Sequence, residues 1–247
     1  MRLIDTWANI NNWRHHPIEV IYLSMGLLLL AMILPPMPGA ALVLLTVTLC
    51  ALFGARIPPF IFFRVLLLPL TFLLVGSLAL VFSVSFDQST GLEIAFSDQG
   101  MQTAKTVILR SISAVSALIL LTLTVPLTEI ITLMRRVRVP NALIELIELM
   151  YRFLFIFDEI FASLLKAQSV RLGYRNLWLS YRSLSSAVAV LFFRAMDRAR
   201  RLESGLESRG YSGELRVLNV RRKISSRFFI FAVLVHFIIL GITFITI

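Results

Sequence analysis

Arg171 and Arg209 are the residues of this chain whose type and setting best suit chemical recognition. They lie in two look-alike segments, Ala167-Gln168-Ser169-Val170-Arg171-Leu172-Gly173-Tyr174 and Leu206-Glu207-Ser208-Arg209-Gly210-Tyr211. Each is a helix-like run that reaches Arg and then Gly-Tyr. A guanidinium is always charged and offers a planar fork of donors, so it suits two-pronged contact with a carboxylate. A cation at a helix C-terminus is also favoured by the helix dipole, by up to about 1 kcal/mol. One such Arg needs no more explanation than that. Two with matching followers suggest a chain that offers the same tip twice, to a partner holding two copies of one groove.

Other chemistry finds few residues. There is no Gly-x-x-x-x-Gly-Lys-Ser/Thr phosphate loop, so ATP is not expected to bind this chain in that way. No His-x-x-x-His pair suggests zinc, and no acid, base and nucleophile cluster marks an enzyme. His15 and His16 are adjacent and would point about 100° apart on a helix, which reads as two interfacial side chains. His236 falls inside an apolar run, where an ionisable group is a functional suspect; a neutral His bonded to a neighbouring helix is the plainer reading. Arg152 is a second suspect, with Glu148 one turn before it as an ion-pair candidate. Arg110 reads as snorkelling to the outer interface. Eight Met and the single Cys50 are scattered rather than grouped.

The elements that position these residues belong to a membrane protein. Of 247 residues 58% are hydrophobic and 15% charged, where a soluble domain carries about 25% charged residues. The apolar runs are long and continuous, which predicts helices rather than an alternating barrel. The net charge of +10 fits an excess of Arg and Lys on the cytoplasmic side and calls for no nucleic acid. The fold expected is an all-α integral membrane protein of about five transmembrane helices plus long cytoplasmic helices. Four spans fall in an N-terminal region, 1–126, at about 20–34, 40–53, 65–84 and 106–126. The Pro35-Pro36-Met37-Pro38-Gly39 break divides the first two. A fifth occupies 228–247. The first run is read as retained, not as a cleaved signal peptide.

The loop from Ser85 to Ala104 holds Asp87, Glu93 and Asp98 and neither Lys nor Arg, whereas Leu127 to Arg227 holds 18 Lys or Arg against 9 Asp or Glu. Arg2, Arg14, Arg56 and Arg64 flank the other short connections. The positive-inside rule then places the N-terminus and the basic stretch 127–227 in the cytoplasm, and the C-terminus outside. Within that stretch a short amphipathic helix is expected over Thr128–Val137. A long helix opens at Pro140-Asn141, carries Glu145, Arg152, Glu159 and Lys166 as one stripe, and stops at Gly173. Another runs from about Ser185 to Ser208 with a seam of Val188, Leu191, Ala195, Ala199, Leu202 and Leu206. Arg194, Arg198 and Arg201 lie on a different face, and Gly210 ends it.

These segments resemble the transmembrane T component of energy-coupling factor transporters, of the cobalt-transport type (CbiQ). The likeness rests on Trp13-Arg14-His15-His16-Pro17, Leu34-Pro35-Pro36-Met37-Pro38-Gly39, Leu109-Arg110-Ser111, Glu148-Leu149-Met150-Tyr151-Arg152-Phe153-Leu154 and the arginine pair. In that family each tip reads Ala-Arg-Gly and docks on one of two ABC-type ATPases. The matching positions here are Val170-Arg171-Leu172 and Ser208-Arg209-Gly210. The first departs at both flanks and the second at one. Glu19 follows the N-terminal Pro where the family often has a basic residue, so no role is carried over there.

The resemblance implies a non-catalytic coupling subunit of a bacterial or archaeal plasma-membrane importer for cobalt or nickel. It binds no cofactor itself. ATP is held by the two ATPases, and the metal by a small membrane-embedded capture subunit, with room for an accessory small membrane protein. The competing readings are a conventional ABC permease half that lines the substrate path and a secondary transporter or channel. The first would carry a Glu-Ala-Ala-type loop. The second would place charged or unwound residues at the bilayer midplane.

Overall fold

The computed structural model describes Trp13 and residues 15–87, 91–96, 98–210 and 225–246, with the backbone alone for 82–87 and 91–96. Arg2, Arg14 and Tyr211 therefore lie outside the described residues. The chain divides into two units, Met1–Ile130 with Arg221–Ile247, and Ile131–Val220.

In the first unit, α1 spans Pro17–Ile33. Its start is doubly capped. His16 Nδ1 accepts from the Ile18 N–H, and Glu19 Oε2 accepts from the His16 N–H, at 3.2 and 3.3 Å. Pro17 sits where a missing N–H costs nothing. Leu34 turns extended, as a residue before proline must. A wide π-type turn, Pro36–Ala40, leads into α2, Ala41–Leu49, and a second such turn, Cys50–Gly54, closes it. Then come α3, Pro59–Val81, an antiparallel hairpin of β1, Phe82–Asp87, with β2, Gly91–Phe96, and α4, Asp98–Thr124. In the hairpin Phe82 faces Phe96 and Asp87 faces Gly91. The last helix of this unit, Ser226–Thr246, is numbered α8 in chain order.

The proline break is held by α4. Arg110 Nη2 donates to the Leu34 carbonyl at 3.1 Å, and the Ser113 hydroxyl lies 2.7 Å from the Ala40 carbonyl. A backbone interrupted among apolar helices strands its carbonyls, and side-chain donors must satisfy them. Arg110 thus reaches inward to a helix end rather than outward to the interface. Leu23, Leu27, Val43, Val47, Leu120, Leu123 and Ile239 are wholly or almost wholly buried and form the core where these helices meet.

Among the described residues, four helices are long and apolar enough to cross a bilayer: Pro36–Gly54, Pro59–Val81, Asp98–Thr124 and Ser226–Thr246. The expected first span is a helix of 17 residues, about 25 Å at 1.5 Å per residue against a hydrocarbon core of about 30 Å. The third span begins at Pro59 rather than 65, and its expected last turn is strand. The fourth begins at Asp98, about two turns before 106, with Asp98 in its first turn where a negative charge suits the helix dipole.

Helix α5, Leu127–Arg136, begins in the first unit and runs into the second, which holds α6, Asn141–Val170, and α7, Leu177–Glu207. Helix α7 starts eight residues before the expected Ser185. Asn176 caps it, its Oδ1 accepting from the Leu179 N–H at 2.8 Å. Helical spacing already runs through Leu177, Tyr181 and Leu184. Glu148 pairs with Arg135 of α5 at 3.0 Å, not with Arg152.

Candidate functional site

The two arginines mark the C-termini of α6 and α7, and the backbone at both is alike. Arg171 is the C-cap of α6, its N–H donating toward the Gln168 and Ser169 carbonyls. Leu172 follows in the left-handed region at φ 57°. Arg209 follows the C-cap of α7, its N–H donating to the Leu206 carbonyl at 3.1 Å, and Gly210 is left-handed at φ 72°. Each helix therefore runs into Arg and reverses hand at the next residue, which throws the guanidinium onto an exposed corner. Val170 and Leu172, flanking Arg171, are 78% and 66% exposed. Arg209, Ser208 and Gly210 are exposed as well.

Helix α6 is expected to stop at Gly173; its last residue is Val170, three residues earlier, with Arg171 as the cap. Gly173 is not the left-handed residue; Leu172 is. What Gly173 supplies is room. A Cβ there would meet the Ser183 hydroxyl of α7 and come within 2.9 Å of the Gln168 carbonyl. Without it, the Gly173 N–H donates to Gln168 at 2.9 Å and Ser183 Oγ donates to the Gly173 carbonyl at 3.0 Å. Ser183 and Asn176 are the residues of this tip that sequence reading missed. Asn just before an apolar run was the available signal for Asn176; nothing marked Ser183.

Helices α6 and α7 form an antiparallel hairpin. Gly173 meets Ser183 at one end, while Leu149, Arg152, Phe153 and Ile156 share a cleft with Arg198, Arg201 and Leu202 towards the other. The Arg171 tip stands at the hairpin bend. The Arg209 tip stands at the far end of a 31-residue helix, about 46 Å of helix axis away at 1.5 Å per residue. The less exposed stripe of α7 runs through Ser183, Ala187, Leu191, Ala195 and Leu202; Val188 and Ala199, placed in the seam by sequence, are exposed. A different stripe of α7, Leu177, Tyr181, Leu184, Val188 and Phe192, is exposed along its length.

The histidines lie in the first unit. His16 and Glu19 are buried, and Glu19 also accepts from the Ser225 N–H at the start of α8. His15 stacks on Phe228 at 4.0 Å between ring centres. Burial lowers its pKa, and the Glu19 carboxylate opposes that shift. His236 bonds through Nδ1 to the Ala232 carbonyl of its own helix, not to a neighbour. Its Nε2 is buried against Gly26 of α1 without a hydrogen-bond partner among the described residues.

The arrangement is that of a multi-pass helical membrane protein whose α6–α7 hairpin carries an exposed arginine at each of two helix ends. Comparison with known proteins narrows that class. The family model described as cobalt transport protein, CbiQ, matches residues 11–219. The cobalt transport protein CbiQ of Rhodobacter capsulatus is 39% identical over 221 residues, 88% of each chain. The protein of that name from Salmonella typhimurium is 30% identical over 220 residues, 85% of this chain and 97% of its own. A protein of Methanocorpusculum labreanum, named as a fused cobalt transport protein CbiMQ, is 27% identical over 171 residues, 66% of this chain and 28% of its own. The chain belongs to the CbiQ cobalt transport protein family, and it is a membrane component of cobalt transport.

Proposed function

We propose that this chain is the coupling subunit of an energy-coupling factor importer for cobalt or nickel, and that it does no chemistry of its own. Arg171 and Arg209 each dock on one of two ABC-type ATPases, with Val170, Leu172, Ser208 and Gly210 forming the rims of the two contacts. The observation that carries this reading is the repeated tip: a helix end, an exposed Arg and a left-handed residue, at opposite ends of one hairpin. Two identical grooves on an ATPase pair call for two like tips held apart by something stiff. A packed helix pair supplies that stiffness, because interdigitated side chains resist continuous deformation.

ATP-driven closure of the ATPases moves the tips, and the hairpin carries the motion to a small membrane-embedded capture subunit. The exposed stripe on α7 supports a partner there, since a lone folded chain rarely leaves so long an apolar face uncovered. The joined name of the M. labreanum relative supports a neighbour in the membrane that is close enough to be fused. Metal is the cargo of the assembly, and ATP is bound by the partners. In this reading the N-terminus and the hairpin are cytoplasmic and the C-terminus is outside, as the charge asymmetry suggests.

The test is co-purification. The tagged chain, expressed with its neighbouring genes and solubilised in mild detergent, should retain an ABC ATPase at two copies per chain. Arg171→Ala with Arg209→Ala should release it. A chain that purifies without any ATPase would reject the coupling role.

A further inference from the structure

We infer that the β1–β2 hairpin lies on the bilayer surface with one face in the lipid, and so anchors the connection between α3 and α4 to the membrane. The register pairs Phe82 with Phe96, Val84 with Ile94 and Phe86 with Leu92; between them it pairs Ser83 with Ala95, Ser85 with Glu93 and Asp87 with Gly91. Successive residues of a strand alternate between the two faces of a sheet, and directly opposed residues share a face. Phe82, Val84, Phe86, Leu92, Ile94 and Phe96 therefore occupy one face, and every position on it is apolar. The other face takes both carboxylates and both serines of the two strands. A slip of one residue would mix the two sets, so register and sequence pattern agree.

A two-stranded hairpin is marginal alone in water, and a face of six apolar residues needs cover. The place of the hairpin in the chain says which cover is at hand. Strand β1 follows α3 with no residue between them, and one residue separates β2 from α4. Both helices are long and apolar enough to cross a bilayer. The 23 residues of α3 make about 34 Å at 1.5 Å per residue, against a hydrocarbon core of about 30 Å. Helix α3 thus reaches the membrane surface as it ends, and the hairpin begins there. Its depth follows from the backbone. The outer edge of each strand carries N–H and C=O groups that the ladder does not pair, and hydrocarbon cannot satisfy them. The hairpin is therefore held flat in the headgroup layer, as interfacial amphipathic helices are, with its apolar face toward the acyl chains. Residues 82–96 include Asp87 and Glu93 and neither Lys nor Arg. Attraction to anionic headgroups, which needs basic residues, has no part, and the contact is with the acyl boundary of any bilayer lipid.

Spin-label accessibility of the full chain in phosphatidylcholine vesicles tests the assignment. In a Cys50→Ser background, nitroxides are attached to Val84→Cys, Phe86→Cys and Ile94→Cys on the apolar face and to Ser83→Cys, Ser85→Cys and Glu93→Cys on the other. The ratio of collisions with oxygen, which concentrates in lipid, to collisions with a neutral water-soluble nickel chelate should be several-fold higher for the first set, alternating residue by residue. Adding phosphatidylglycerol should leave the pattern unchanged. Free access of the chelate to both sets would overturn the proposal. Shielding of the first set from both reagents would overturn it in favour of a protein cover. A pattern that arises only with phosphatidylglycerol would overturn the acyl contact in favour of headgroup binding. A measurement on the unsubstituted chain keeps the test open if the cysteine variants misfold. A lipid with a diazirine in its acyl chain should label residues 82–96 on photolysis, and label on α3 and α4 with none in the hairpin would reject the anchor.

Discussion

The two tips share a backbone path and differ in what makes the path cheap. At the Arg209 tip the left-handed residue is Gly210, which pays no steric penalty there. Among the described residues nothing lies within 4 Å of where a Cβ would sit. At the Arg171 tip the same turn is made by Leu172, for which the left-handed region costs about 1–2 kcal/mol. What holds Leu172 there is the hairpin bend. The Gly173 N–H reaches Gln168, Ser183 reaches the Gly173 carbonyl, and Asn176 caps the returning helix. One tip is therefore shaped by its own residue and the other by its neighbours. The family pattern that the resemblance implies, Ala-Arg-Gly, can depart at the first tip because tertiary contacts replace the glycine.

This contrast can be broken most directly at the arginines. Arg171→Ala and Arg209→Ala should each weaken ATPase retention by about tenfold or more, the range for a charge-assisted contact, and the double variant should lose it and metal uptake together. If the tips are equivalent partners, the two single losses should agree within a few-fold in a pull-down titration; normal uptake in the double variant would sink the coupling role. Gly173→Ala is the next largest change. Its methyl collides with Ser183 and the Gln168 carbonyl, which should cost about 1–3 kcal/mol as other overpacked sites do. Proteolysis should then open the hairpin bend while the Arg209 end stays protected. Ser183→Gly in the same chain should restore much of the loss.

Leu172→Gly and Gly210→Ala should act in opposite directions. The first removes a left-handed side chain and should stabilise the bend by up to about 1 kcal/mol, less whatever glycine adds to the freedom of the unfolded chain. The second should destabilise the α7 end by about 1 kcal/mol. Thermal denaturation that shifts the same way for both would mean that the two turns are not equivalent. The smallest expected effect is Asn176→Ala, at about 0.5–1 kcal/mol for a lost N-cap. Hydrogen exchange at Leu179 should report it, with no change near Arg209.

Several features were legible in the sequence because a local cause produces each. Proline at 140 and the unbroken apolar spacing after it set the start of α6 at Asn141. Gly210 has the φ that a helix stop needs. The Pro35–Pro38 run breaks the helix wherever it is placed, and composition alone puts long apolar helices in a bilayer. Other features were hidden because their causes lie far off in the chain. Glu148 had a good partner one turn away in Arg152, yet it bonds Arg135 across the turn between α5 and α6. Helix α7 was expected from about Ser185, yet it starts at Leu177 and runs through the serine-rich stretch, where Ser183 and Ala187 are buried. Arg110 looked like an interfacial anchor, yet it satisfies the Leu34 carbonyl that the prolines strand.

By itself, then, the sequence determined the membrane character, the helical class, the stretch that carries charge and the two arginines at helix ends. Those follow from hydropathy, period and capping, which act over a few residues. Only the tertiary structure decided that the tips stand at opposite ends of one hairpin, that Leu172 takes the turn a glycine would usually take, and that Arg152 and Arg198 line one cleft. Each of these depends on which residues of α6 and α7 come into register. Packing two helices sets that register, and no local pattern encodes it.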